Sequence, residues 1–182
     1  MDQLTLLALS GSLRKKSYNT ALNQALQQLA PDHVEIKIFD GMANIPLFNP
    51  DLEDKEISAV KNLKNALGRA DGLILSSPEY AHGISGVMKN TLDWLVSGDE
   101  FVYKPVVFFN TSPRASHAQQ ALREVVKTMS GIIVDEASIS VPLLGSDLDS
   151  QGIVNHAEIS AALKKSINDF CAFILKNKAP FT

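Results

Sequence analysis

Residues 4–29 read LTLLALSGSLRKKSYNTALNQALQQL, and the change of period inside this stretch decides the fold class. Leu4 to Leu9 is a nearly unbroken apolar run of strand length, as expected for a strand covered on both faces. From Leu22 onward the pattern changes: Leu22, Ala25, Leu26 and Leu29 recur at helical spacing and mark one buried face. The polar, basic segment from Ser10 to Asn19 joins the two. Strand, turn and helix in this order form the first half of a parallel βαβ unit.

The same alternation continues. Leu73 to Leu75 and Val106 to Phe109 are further continuous apolar runs, and a fifth strand is expected within Ala137 to Val141, after a short extended piece from Ile132 to Val134. Val34, Ile36 and Ile38 alternate instead with Glu35 and Lys37, the pattern of a half-wet edge strand. Four more apolar stripes predict helices through Ile57 to Leu67, Met88 to Leu95, Ala118 to Met129 and Ile159 to Ile174. Gly98 and Gly131 are expected to close the third and fourth helices in the left-handed conformation. A three-layer α/β fold follows, with a five-stranded parallel sheet of flavodoxin-like order 2-1-3-4-5 and helices on both faces. The loop from Gly41 to Asp54, with Pro46 and Pro50, is the longest break.

Composition narrows the class. A chain of 182 residues suits one domain spanning 1–182 and buries roughly 70% of its extended surface. Its 45% hydrophobic and 20% charged residues exclude intrinsic disorder. With 17 basic against 20 acidic residues the net charge is −3, which argues against a nucleic-acid binder. The single Cys171 cannot form an internal disulfide, and the chain's start has neither a basic n-region nor a long apolar run, so a cytoplasmic location is expected.

In such a sheet ligands bind beyond the carboxyl ends of the strands, where the strand order reverses. The loops to read are therefore Ser10 to Asn19, Ser76 to Gly86 and Asn110 to Ser116. The first brings Ser10, Ser12, Ser17, Asn19, Arg14, Lys15 and Lys16 to a helix N-terminus, where free N–H groups, hydroxyls and a guanidinium suit a phosphate. One glycine is too few for a dinucleotide fingerprint, and no Gly-Lys-Ser/Thr follows, so a monophosphate held by side-chain hydroxyls is the better reading. The bland alternative is a helix cap by Ser17 or Asn19 among solvated lysines. In the second loop Pro78 restricts the backbone, and Gly83 and Gly86 allow unusual angles, so a flat polar ring could rest against its N–H groups beside Tyr80 and His82.

Gly11-Ser12-Leu13-Arg14-Lys15-Lys16-Ser17-Tyr18-Asn19, with Pro78-Glu79-Tyr80 and Gly86-Val87-Met88-Lys89-Asn90-Thr91-Leu92-Asp93-Trp94, resembles the NADPH-dependent FMN reductase family, which includes quinone, azo-dye and chromate reductases. Ile45 to Glu53 resembles the family's loop after the second strand. The resemblance implies FMN, with its phosphate on Ser10, Ser12, Arg14, Ser17 and Asn19, and with Tyr18 as a further cofactor-binding residue. It places the isoalloxazine edge against Pro78, Glu79, Tyr80, Ala81, His82 and Gly83, with Thr111 and Ser112 opposite. It also implies NADPH or NADH as donor, a small-molecule acceptor, and a homodimer or homotetramer. The chemistry would be the flavin's own, with no catalytic side chain and no metal.

Three departures stand out: Ala81-His82 where the family often has Asn after Pro-Glu-Tyr, Ser85 where it often has Pro, and Ser112 to His117 where many members have Gly-Gly. Arg114 in the last of these is a candidate contact for the donor's phosphates. A flavodoxin-type electron carrier is the rival reading, although a charge of −3 is weak for docking redox partners. Glu79, His82 and Ser85 do not make a hydrolase triad, because no Gly-x-Ser-x-Gly elbow accompanies them. His33, His82, His117 and His156 fall on separate elements without ligand spacing, Cys171 sits on an apolar stripe, and Trp94 reads as packing or an oligomer contact.

Overall fold

The computed structural model describes residues 3–112, 114 and 116–178. Strand β1 (Leu4–Ser10) lies at the centre of a parallel sheet, between β2 (Val34–Ile38) and β3 (Gly72–Ser76). Beyond β3 comes β6 (Pro105–Asn110), while β4 (Glu79–Tyr80) and β5 (Gly83–Ile84) form a separate two-stranded hairpin. The expected fifth strand is divided. The segment β7 (Ile132–Ile133) pairs with the start of β6 at Pro105 and Val106, and β8 (Ile139–Ser140) pairs with its end at Phe109 and Asn110. A short 3-10 turn at Asp135–Ala137 separates the two pieces. With the fifth position shared in this way, the order follows 2-1-3-4-5.

The helices are α1 (Tyr18–Leu29), α2 (Ser58–Gly68), α3 (Gly86–Asp93), α4 (Ser116–Thr128), the short α5 (Ser150–Asn155) and α6 (Ala157–Lys178). Alternate residues of β1 serve opposite layers, which explains its unbroken apolar run. Leu4, Leu6 and Ala8 meet Leu22 and Leu26 of α1 and Leu163, Ile167 and Phe170 of α6. Leu7 and Leu9 face Leu63, Met88, Leu92 and Leu122 on the other side. In β2 the buried Val34 and Ile36 alternate with exposed Glu35 and Lys37, as an edge strand requires.

Both expected helix endings differ. The third helix ends at Asp93, and Gly98 does not have a positive φ; Trp94 turns inward and its Nε1 donates to Pro46 O at 2.8 Å. Trp94 is thus a packing residue, edge-on to Phe48 with ring centroids 5.2 Å apart. At the end of α4 the left-handed residue is Ser130 (φ 61°), one position before Gly131, whose N–H closes onto Val126 O at 2.9 Å. The long break after β2 is pinned: two 3-10 turns (Gly41–Asn44 and Pro50–Leu52) shape it, and Asn90 of α3 accepts from Phe48 N and donates to Pro46 O. Cys171 is buried, and loss of solvent pushes its thiol up to about 11, so it stays protonated and packs as an apolar group.

Candidate functional site

Ser10 and Ser76 pair across β1 and β3 at the carboxyl ends of the strands, and Gly11 N extends the ladder to Ser76 O at 2.8 Å. The chain then turns sharply against the loop after β3. A methyl group on Gly11 would lie 2.5 Å from Ser77 Oγ and 2.8 Å from Ser85 Oγ, so any side chain there would force these serines to move. Ser85 is the N-cap of α3, accepting from Met88 N at 3.2 Å, and this serine keeps the helix start that proline supplies elsewhere in the resembled family.

On the other side of the turn Ser17 caps α1, accepting from Thr20 N at 3.4 Å. The first N–H groups of a helix have no intrahelical partner, and those of Tyr18 and Asn19 have no protein acceptor among the described residues. They are free for an anion, as the positive end of the helix dipole favours. Asn19 is buried, and its Oδ1 accepts from Thr111 Oγ1 at 3.2 Å, tying the head of α1 to the end of β6. Ser10 is also buried, with its hydroxyl 2.9 Å from Thr20 Oγ1, beneath the loop rather than in its mouth.

These elements enclose a cavity of about 280 Å³. Its lining combines Ser12, Arg14, Ser17, Tyr18 and Asn19 from the loop and helix after β1, Pro78, Glu79 and Tyr80 from after β3, and Thr111 and Ser112 from after β6. Ser10, Ala81, His82 and Gly83 are not in its wall. Ser77, Arg114 and Leu144 are. Leu144 had no sequence signal: Val141 N donates to Asn110 O and Leu143 N to Thr111 O, and this pairing with the end of β6 carries Leu144 to the rim. Of the loop after Ser112, Pro113 and Ala115 lie outside the described residues. Lys15 and Lys16 line an adjoining cavity, together with Asp147 and Asp149, so Arg14 is the cation common to both spaces.

The hairpin after β3 is built differently from the glycine-based expectation. Gly83 and Gly86 do not take positive φ; Ala81 (φ 49°) and His82 (φ 60°) do, as a two-residue turn of the I′ class demands. Each non-glycine residue there costs about 1–2 kcal/mol. Ala81→Asn therefore raises stability by about 0.5–1 kcal/mol in urea unfolding, because asparagine tolerates this conformation better. The turn also brings two histidines of separate elements into contact. His82 and His117 meet edge to face with centroids 4.6 Å apart, although the described residues contain no group of three or more metal-ligating side chains.

Hydroxyls and guanidinium groups from Ser12, Arg14, Ser17 and Arg114 therefore share one cavity with Pro78 and Tyr80, a polar and partly aromatic lining. The position of the cavity is that of flavodoxin-like proteins, at the switch point between β1 and β3. The chain matches the NADPH-dependent FMN reductase family over residues 4–143, and it belongs to that family. It is 27% identical to a quinone reductase of Escherichia coli over 157 residues, covering 82% of this chain and 84% of that one. It is 30% identical to an NAD(P)H-dependent FMN reductase of Pseudomonas aeruginosa, covering 83% and 84%. Among solved structures, FerB of Paracoccus denitrificans, a flavoenzyme NAD(P)H:(acceptor) oxidoreductase, superposes with a TM-score of 0.84 at 25% identity, over 95% of this chain and 98% of that one. FMN and a reduced nicotinamide donor are the cofactors of this class, and the relatives are reductases rather than electron carriers, so the flavodoxin alternative finds no support.

Proposed function

We propose that this chain, acting as one unit over residues 1–182, is an NAD(P)H oxidoreductase that binds FMN in the cavity at the β1/β3 switch point. FMN, when bound, supplies the redox chemistry: hydride uptake from NADPH or NADH and electron delivery to an acceptor. The protein's part is to hold and orient. Ser12, Arg14 and Ser17, with the free N–H groups of Tyr18 and Asn19, receive the phosphate. Pro78, Glu79 and Tyr80 from after β3, with Thr111 and Ser112 from after β6, receive the ring. Ser10 supports the cradle through Thr20, while Ala81, His82 and Gly83 shape the hairpin from behind. Backbone N–H groups in the loop from Pro78 to Gly83 favour negative charge on a ring placed there.

The single observation that carries this reading is one cavity at the β1/β3 switch point whose lining joins Ser12, Arg14 and Ser17 to Pro78, Glu79, Tyr80, Thr111 and Ser112. The acceptors it suits are small and planar or oxyanionic: quinones, azo compounds, chromate-like metal oxyanions, or free flavin. Leu13, Tyr80 and Leu144, each more than half exposed around the mouth, supply an apolar rim that a second copy would cover in a homodimer or homotetramer. The cytoplasm, where reduced nicotinamides are held, is the compartment this activity needs. No described helix is long and apolar enough to cross a membrane.

The test is direct. Purified protein titrated with FMN is expected to quench flavin fluorescence with one site per chain, and then to oxidise NADPH or NADH when a benzoquinone is added. Bound FMN without nicotinamide oxidation would leave a carrier and remove the enzyme; no binding would remove both.

A further inference from the structure

The hairpin after β3 packs against α4, and one carboxylate bonds across that contact. Glu79 Oε2 accepts from Ala118 N in the first turn of α4 at 2.8 Å, and Oε1 lies 3.2 Å from His82 Nδ1. The Glu79 side chain is 12% exposed, whereas that of His82 is 76% exposed. His117, the neighbour of Ala118, sets its ring against His82 and completes the cluster. The charged groups around Glu79 are these two histidines, with Arg14 and Arg114 lining the same cavity.

The hairpin has need of such a tie. Its strands are two residues each, they pair only with one another, and both turn residues are left-handed. A hairpin of this size holds its shape only when packed on another element, here α4. The carboxylate also occupies an N–H at the positive end of α4, the helix that follows Thr111 and Ser112 in the chain.

We propose that Glu79 is a positioning residue: by latching the Glu79–Ile84 hairpin to the first turn of α4, with His82 and His117 closing around it, it sets the spacing of the two loops that receive the flavin ring. The latch rests on the reading of this cavity as the FMN site, but its existence can be tested separately. The Ala118 N–H bond, first, and then the histidines hold the Glu79 carboxyl below its ordinary range. A lowered value means that the ionised latch is fully present above the usual carboxylate range and is lost as pH falls through the lowered one.

The experiment compares wild type with Glu79→Ala, Glu79→Gln and His117→Ala, using FMN fluorescence titration and hydrogen exchange at the Ala118 amide. Thermal melts accompany both, and Glu79→Gln provides a variant of nearly native shape. Loss of a charged acceptor in Glu79→Ala is expected to weaken FMN about tenfold and to speed Ala118 exchange by a similar factor. Glu79→Gln keeps an oxygen for Ala118 N, so it is expected to stay within about threefold of wild type. Wild-type affinity is expected to drop at acid pH by more than that of Glu79→Gln, the difference marking the carboxylate. Unchanged Ala118 exchange and unchanged FMN affinity in Glu79→Ala would overturn the latch and leave the FMN reading intact. Failure of wild type to bind FMN would overturn that reading, while the exchange rates would still decide whether the latch exists.

Discussion

Arg14→Ala is expected to bind FMN about ten- to a hundredfold more weakly than wild type, with its melting temperature unchanged. Arg14 is exposed, makes no side-chain bond to the protein among the described residues, and lines both the candidate FMN cavity and the adjoining one. Removing it therefore costs the fold little and the ligand much. Charge-assisted bonds from a guanidinium fork to a phosphate are among the stronger polar contacts, worth about 1.5–3 kcal/mol when one partner is charged. Ser17 cannot replace them, because its single neutral O–H offers one donor and no charge. Lys15 and Lys16 line the neighbouring cavity and not this one. The check is fluorescence titration at fixed ionic strength. Equal affinities in the two proteins would move the phosphate away from this side chain.

Phe170→Ala is expected to destabilise the protein by about 3–5 kcal/mol and to lower the melting temperature by roughly 10–15 °C. Phe170 has no exposed surface and lies in the cluster that joins α6 to the sheet beside Leu163, Ile167 and Ile174. Its ring reaches the backbone at Gly72, where an added methyl group would lie 2.8 Å from Phe170 Cζ and 2.8 Å from Ile174 Cδ1. The fit is close enough that the truncated side chain leaves a void that α6, held along its length, cannot collapse to fill. Calorimetry checks the shift. A loss under 1 kcal/mol would mean that α6 relaxes onto the sheet, contrary to the packing at Gly72.

Much of this was legible beforehand because it is local. The apolar run of β1, the helical stripe of α1 and the alternation in β2 each reflect how near neighbours share two faces or one. The residues offered for a phosphate share one wall for the same reason, since Ser12 to Asn19 form a single strand-to-helix turn. Helix endings were read less well. The stripe of α3 runs on to Leu95, but Trp94 leaves the helix to donate to Pro46 O, a bond spanning 48 residues. Glycine does not mark these turns: in the hairpin and at the end of α4 the left-handed residues are Ala81, His82 and Ser130, where the closure of a hairpin or helix outweighs residue preference.

By itself, then, the sequence determined the order of strands and helices, the switch point, and the residues able to meet a phosphate, because periodicity and turn chemistry act over a few residues. Only the tertiary structure decided which distant loops share one cavity. Thr111 reaches Asn19 across 92 residues, Glu79 reaches Ala118 across 39, and Leu144 arrives at the rim because the chain beyond β8 pairs with the end of β6. Such contacts depend on how the whole sheet closes and what its helices leave uncovered, which no local pattern of side chains specifies.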